Sequence, residues 1–284
     1  MISYLRAIGK LMVTDEEGFL VNDCDQNKIL PPWKNLVEEL CQTCSNAWKT
    51  RLLGLYLRGS VPRGFAIPRV SDLDSMVILT GEISSDDWDL VKKICKGLER
   101  RFIFCKKVEI IIISEKELKQ NYSPWQGIIK TQSLWLLGHD FQTVFPNFKP
   151  GLALISHCFD LELDLNKALK NLENLSSLQL SFNREVKKNC AWICRRLIRS
   201  GFELVMEADQ SYTRDLYLCY ERFSFYFPQH QWLMKKTLEL ALEPSEDRAG
   251  LIVFLRLFGG ELVNLVKHQF PSEVLGSAST NNIP

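Results

Sequence analysis

The stretch YLRGSVPRGFAIPRVSDLDSMVIL, Tyr56 to Leu79, decides how this chain is read. It begins inside an apolar run of strand length, RLLGLYL, which ends at Gly59-Ser60. A segment rich in turn formers follows, with Pro62, Arg63, Gly64, Pro68 and Arg69. Ser71-Asp72-Leu73-Asp74 then opens a second apolar run, LDSMVILT. In a strand, residues i and i+2 point the same way, so Asp72 and Asp74 aim their carboxylates from one face.

Downstream, SSDDWDLVKKICKGLERRF opens on serine and aspartate and closes on basic residues, which predicts a helix over 85–101. KKVEIIIIS is a third strand, rich in β-branched residues. Its single acid, Glu109, stands among Val108 and four isoleucines, where a buried carboxylate without a partner is costly. Pairing with Lys106 is one explanation. The other is a shared cation. Two carboxylates a few Å apart both stay ionised only with positive charge between them. Mg²⁺ is the natural candidate, being hard, octahedral and held by few carboxylates plus substrate phosphates. Asp72, Asp74 and Glu109 together would make a two-metal site.

Gly59-Ser60 completes the chemistry. Glycine lets the backbone come close to a phosphate, and the local amides and the Ser60 hydroxyl can donate to its oxygens. Arg63 and Arg69 add positive charge in the same loop. A phosphate cradle facing a carboxylate cluster suits in-line attack at a nucleotide phosphorus.

Gly59-Ser60, then Asp72-Leu-Asp74 at a strand start, then Glu109 on a third strand, resembles the DNA polymerase β-like nucleotidyltransferase superfamily. With Arg63-Gly64 and Ser71 included, the stretch is most similar to aminoglycoside adenylyltransferases of the streptomycin/spectinomycin type. The resemblance covers roughly residues 50–115. It implies an α+β chain: a minimal nucleotidyltransferase fold, a mixed sheet with flanking helices, followed by an all-α helical-bundle domain. It implies transfer of a nucleoside monophosphate, AMP from ATP or another NTP, to a hydroxyl. Asp72, Asp74 and Glu109 would be catalytic and hold two Mg²⁺ ions, Glu109 serving as general base or third ligand. Gly59, Ser60, Arg63 and Ser71 would bind the nucleotide. NCAWICRR followed by TRDLYLCYERF is similar to the stretch where these enzymes place an arginine and then a lysine on the triphosphate, here Arg196 and Arg214. Arginine in place of lysine keeps the charge and changes its geometry.

The rest of the chain fits around this centre. Pro31-Pro32 and the spacing of Trp33, Leu36, Leu40, Cys44 and Trp48 predict a helix over 32–49. Ser114 to Glu117 reads as a capping box opening another helix. Beyond residue 122 the pattern reads as helical, with breaks at Ser176-Ser177, Asp209 to Ser211, Phe227-Pro228 and Pro244-Ser245. LWLLGHDF is taken as a short connecting segment in which Asp140 is structural. The expected division is a catalytic domain over 1–145, a helical domain over 146–270 and a flexible tail over 271–284.

The 284 residues carry 35 basic and 34 acidic side chains, so bulk charge points to neither nucleic acid nor a membrane surface. The nine cysteines are odd in number, and Cys41-x-x-Cys44 falls in a helical pattern, so core packing is expected. The histidines are scattered. No signal peptide and no membrane-spanning run are read, so a cytoplasmic protein is expected. The acceptor expected is a small hydroxylated molecule such as an aminoglycoside-like compound, for which Glu162, Asp164, Glu203, Glu207 and Asp209 are candidate contacts. A tRNA or protein acceptor is the alternative, and a non-catalytic nucleotide-binding or interaction module is the alternative from another class.

Overall fold

The computed structural model describes residues 9–120, 123–178 and 180–270. The segment read as a tail lies outside them. The described residues fall into two compact units, residues 13–148 and residues 9–12 with 149–270.

The first unit contains α1 (Trp33–Trp48), β1 (Leu52–Arg58), β2 (Leu73–Leu79), α2 (Ser85–Arg101), β3 (Val108–Ser114), α3 (Glu115–Leu118), α4 (Pro124–Gln132) and β4 (Ser133–Gly138). The strand order is β3-β2-β1-β4. β2 and β3 are parallel, while β1 runs antiparallel to both β2 and β4, so the sheet is mixed. A parallel pair needs a crossover, and α2 supplies it. One face of the sheet carries Leu55, Leu57, Leu73, Val77, Ile110 and Ile112 under α1 and α2. The other carries Tyr56, Met76, Ile78, Ile111 and Ile113 under Trp125, Ile128 and Ile129 of α4. Each fully buried Leu or Ile contributes roughly 2 kcal/mol.

The start of α2 is fixed twice. Ser84 and Asp87 form a reciprocal capping box, a device worth about 1 kcal/mol. Asp87 also accepts from Trp48 Nε1 at 3.0 Å and from Arg51 Nη1 at 2.9 Å, which ties α2 to the end of α1. Burial alone would raise the Asp87 pKa, but these donors and the Ser84 amide hold it down to about 2.

Two features of this unit differ from the sequence expectation. Ser114 does cap a helix, accepting from the Glu117 amide at 3.1 Å, but that helix is a single turn. Pro124 starts a separate helix, α4, a few residues on. The chain also returns to the sheet after residue 122, as β4. SLWLLG is a short apolar run without clean alternation, and such runs do not distinguish strand from helix by period. Its pairing with β1 settles the matter. Asp140 is structural, its carboxylate accepting from the Gln142 amide at 3.0 Å.

The second unit is helical: α5 (Leu161–Asn174), α6 (Phe182–Val205), α7 (Leu216–Tyr226), α8 (Gln231–Leu242), α9 (Arg248–Phe254) and α10 (Gly260–Gln269). α6 packs on α5, α7, α8 and α10. Residues near the chain start join this unit, with Lys10 N donating to Asp215 Oδ2 at 2.9 Å. Glu203, buried on α6, accepts from the amides of Ser156, His157 and Cys158 and from His157 Nδ1 at 2.8 Å. Burial lowers the His157 pKa to about 4 despite Glu203, so the ring is neutral near pH 7.

α9 and α10 are joined by a π-helical turn, Leu255–Gly259, into one helix over Arg248–Gln269. By length and composition it could cross a membrane, contrary to the reading that no segment could. Its apolar stripe of Leu251, Leu255, Phe258, Leu262 and Val266 is buried, while Val253 and Leu257 are exposed. All nine cysteines are free, and Cys44 is fully buried in the α1–sheet core, as the packing reading of Cys41 and Cys44 expects.

Candidate active site

The strand register gathers the acids. Arg58 pairs with Asp74 across β1 and β2, and Asp74 pairs with Glu109 across β2 and β3. Partners in register share a face, so the three form one row across the sheet. The next residues on that face, Tyr56, Met76 and Ile111, are buried beneath α4. The row lies at the end of the apolar patch. Asp74 and Glu109 face each other across the paired strands, and Asp74 acts on the Glu109 pKa.

Asp72 stands one residue before β2, on the same side by strand alternation. Its Oδ1 is buried and has no hydrogen-bond partner. The segment that delivers it is held by Ser71, whose hydroxyl accepts from the Ile67 amide at 2.9 Å and whose carbonyl accepts from the Lys106 amide at 3.2 Å. Ser71 thus acts on the loop's own backbone.

Gly59 follows β1 directly at φ +82°. A Cβ there would stand 2.5 Å from Asp74 Oδ2. Glycine is required both by the backbone conformation and by the approach of the carboxylate. Gly59-Ser60 opens a series of turns rather than a helix, closed by Phe65 N donating to the Ser60 carbonyl at 2.9 Å. Val61, 1% exposed, anchors these turns in the core. Arg63 is engaged with Asp23 at 2.9 Å, and its guanidinium lies 5.6 Å from the centre of the Phe65 ring.

Three residues of the site were not singled out from the sequence. Lys107, rather than Lys106, pairs with Glu109, with Nζ 2.8 Å from Oε1. Lys107 is two residues from Glu109 and so shares its side of the strand, a signal that was available. Arg58 joins through register, which depends on the pairing of distant segments. Ser75, fully buried, donates its hydroxyl to the Glu109 carbonyl at 3.0 Å and so locks the register that sets Asp74 beside Glu109.

Burial pushes the Glu109 pKa up, but the hydrogen bond from Lys107 and the charges of Lys107 and Arg58 outweigh it and hold it below its usual value. The Glu109 hydrogen bond raises the Lys107 pKa, and the charges of Asp72 and Asp74 add to it. Among the described residues no group of three or more His, Cys, Asp or Glu is gathered closely enough to hold a metal ion. What is assembled is the Asp74–Glu109 pair, with Asp72 further along the same side. The chemistry of this set fits a hard cation: all donors are carboxylate oxygens, two of the acids are register partners on neighbouring strands, and the Asp72 oxygen is buried without a partner.

In the helical unit, Arg196 is buried, with Nε 2.8 Å from Asp164 Oδ2. Arg199, one helical turn on, has a buried Nε with no hydrogen-bond partner. Burial lowers its pKa to about 10, and the charge of Arg214 acts in the same direction. Of the acids considered for an acceptor, Glu203 holds the 156–158 segment, Asp164 holds Arg196, and Glu162 pairs with Lys267 at 2.7 Å.

No family model matches the chain, and no curated protein matches it. Among solved structures the chain is similar to spectinomycin adenyltransferase AAD(9) from Enterococcus faecialis, solved with ATP and spectinomycin. The two share 14% identity over 82% of this chain and 99% of that chain, with a TM-score of 0.44. At that distance the likeness carries no residue-by-residue correspondence.

Proposed function

We propose that the protein is an Mg²⁺-dependent nucleotidyltransferase that moves a nucleoside monophosphate, AMP from ATP, to a hydroxyl of a small molecule. The observation that carries this reading is the Asp74–Glu109 row, with the orphaned Asp72 oxygen, beside a turn whose glycine admits Asp74. In the reaction the acceptor oxygen forms a bond to the α-phosphorus. The bond from that phosphorus to the bridging oxygen breaks, pyrophosphate leaves, and the hydroxyl proton is lost to a base. Asp72, Asp74 and Glu109 would hold the cation, which lowers the charge on the phosphates when bound. The depressed pKa of Glu109 suits a ligand better than a base. The Gly59-Ser60 turn would receive the phosphates through its amides and the Ser60 hydroxyl. Arg63 and Ser71 would act by shaping that turn. In the helical unit, Arg196 is held by Asp164, and Arg214 lies close enough to Arg199 to act on its pKa.

A small acceptor is supported by the nearly balanced charge, because a long RNA demands a basic track. The test is incubation with α-labelled NTPs and Mg²⁺ against pools of hydroxylated small molecules, tRNA and lysate protein. Label in the small-molecule pool, lost with Asp74→Asn, supports the reading. Label in tRNA or protein replaces the acceptor and keeps the chemistry. Nucleotide binding without transfer to any pool identifies a non-catalytic module.

A further inference from the structure

Two cations attend the carboxylate row, and they differ in kind. Arg58 is fixed within β1 in register with Asp74. Lys107 lies in the segment just before β3, its side chain 57% exposed on a flexible four-carbon stem. Its ammonium touches Glu109 at 2.8 Å, and Asp72 and Asp74 both act on it. It therefore lies among the carboxylates assigned above to a divalent ion. A lysine ammonium has no acceptor capacity and cannot coordinate a metal while protonated. It can only balance the carboxylates or leave.

We propose that Lys107 is a displaceable counter-ion for the carboxylate row, holding Glu109 in the free protein and yielding its place to an incoming divalent cation. This inference rests on the reading of the row as a cation site. Lys107 then weakens divalent binding to the free protein and favours a cation that arrives with the nucleotide's own negative charge. It also keeps the row from standing as uncompensated acids between turnovers. Lys107 is a positioning residue, acting through Glu109.

The test measures Mn²⁺ binding to the full chain without nucleotide, from the free-ion paramagnetic signal. Wild type, Lys107→Met, Lys107→Arg and Asp74→Asn are compared at low and high salt. Removing one positive charge a few Å from a divalent ion in a solvent-exposed site should tighten binding about three- to tenfold. Lys107→Met should show that gain, reduced at high salt, and Lys107→Arg should behave as wild type. Without divalent ions Lys107→Met should melt lower than wild type, and Mg²⁺ should raise its melting point by more. If wild type binds Mn²⁺ and Asp74→Asn does not, but Lys107→Met binds no tighter than wild type, the counter-ion role is overturned while the cation site stands. If neither wild type nor Lys107→Met binds Mn²⁺ at millimolar concentration, the cation site falls and the counter-ion role with it.

Discussion

Gly59 and Asp74 approach so closely that a Cβ on Gly59 would stand 2.5 Å from Asp74 Oδ2. The turn that ends β1 and the acid that opens β2 are thus one device. Gly59→Ala adds both a left-handed backbone penalty and this clash, together about 1–3 kcal/mol. We expect lower stability in urea unfolding and nucleotidyl transfer reduced by about 100-fold or more through displacement of Asp74. Asp74→Ala removes the carboxylate from the clash. The double variant should therefore be more stable than the sum of the two single effects, a coupling read by a double-mutant cycle. Strict additivity would show that the two residues do not share this space.

Asp72 makes the opposite case, a residue whose removal should help the fold. Its Oδ1 is buried without a partner, two residues before Asp74 in the chain. Asp72→Asn removes a charge and adds a donor. We expect unchanged or raised melting temperature together with loss of transfer by about 1,000-fold. A clear fall in melting temperature would assign Asp72 to structure.

What could be read in the sequence followed local geometry. Alternation with a period of two predicts Asp72 and Asp74 on one side, and the isolation of Glu109 in KKVEIIIIS marks it as an acid that needs a partner. Helix ends with a serine cap, as at Ser84, were equally plain. What was missed depends on distant pairing. Arg58 joins the row only through the register of β1 with β2, and Arg63 finds Asp23 forty residues upstream. Arg196 meets Asp164 from another helix. β4 was missed because a short apolar run declares neither period.

Asp87 should make stability depend on pH in acid. Its carboxyl titrates at about 2 in the folded protein against an ordinary value of 3.8. The contribution is present in full above the ordinary value and is lost as pH falls through the folded one. Asp87→Ala leaves Trp48 Nε1 and Arg51 without their acceptor, at a cost of roughly 3 kcal/mol near pH 7. Urea midpoints of wild type and variant should converge as pH is lowered from about 4 to about 2. A gap that stays constant over that range would mean that Asp87 contributes by packing alone.

The resemblance assigns Arg196 and Arg214 to the same ligand, and their surroundings differ. Arg196 is 7% exposed and bound to Asp164, whereas Arg214 is partly exposed and lies close enough to Arg199 to act on its pKa. Arg196→Met leaves Asp164 buried with its partner gone. Burial already raises the Asp164 pKa, with Arg196 opposing it. The expected result is a loss of roughly 3 kcal/mol in unfolding free energy with little change in KM for the NTP. If Arg196→Met raises KM at a temperature where the variant is fully folded, Arg196 reaches the nucleotide and the pair with Asp164 opens to allow it.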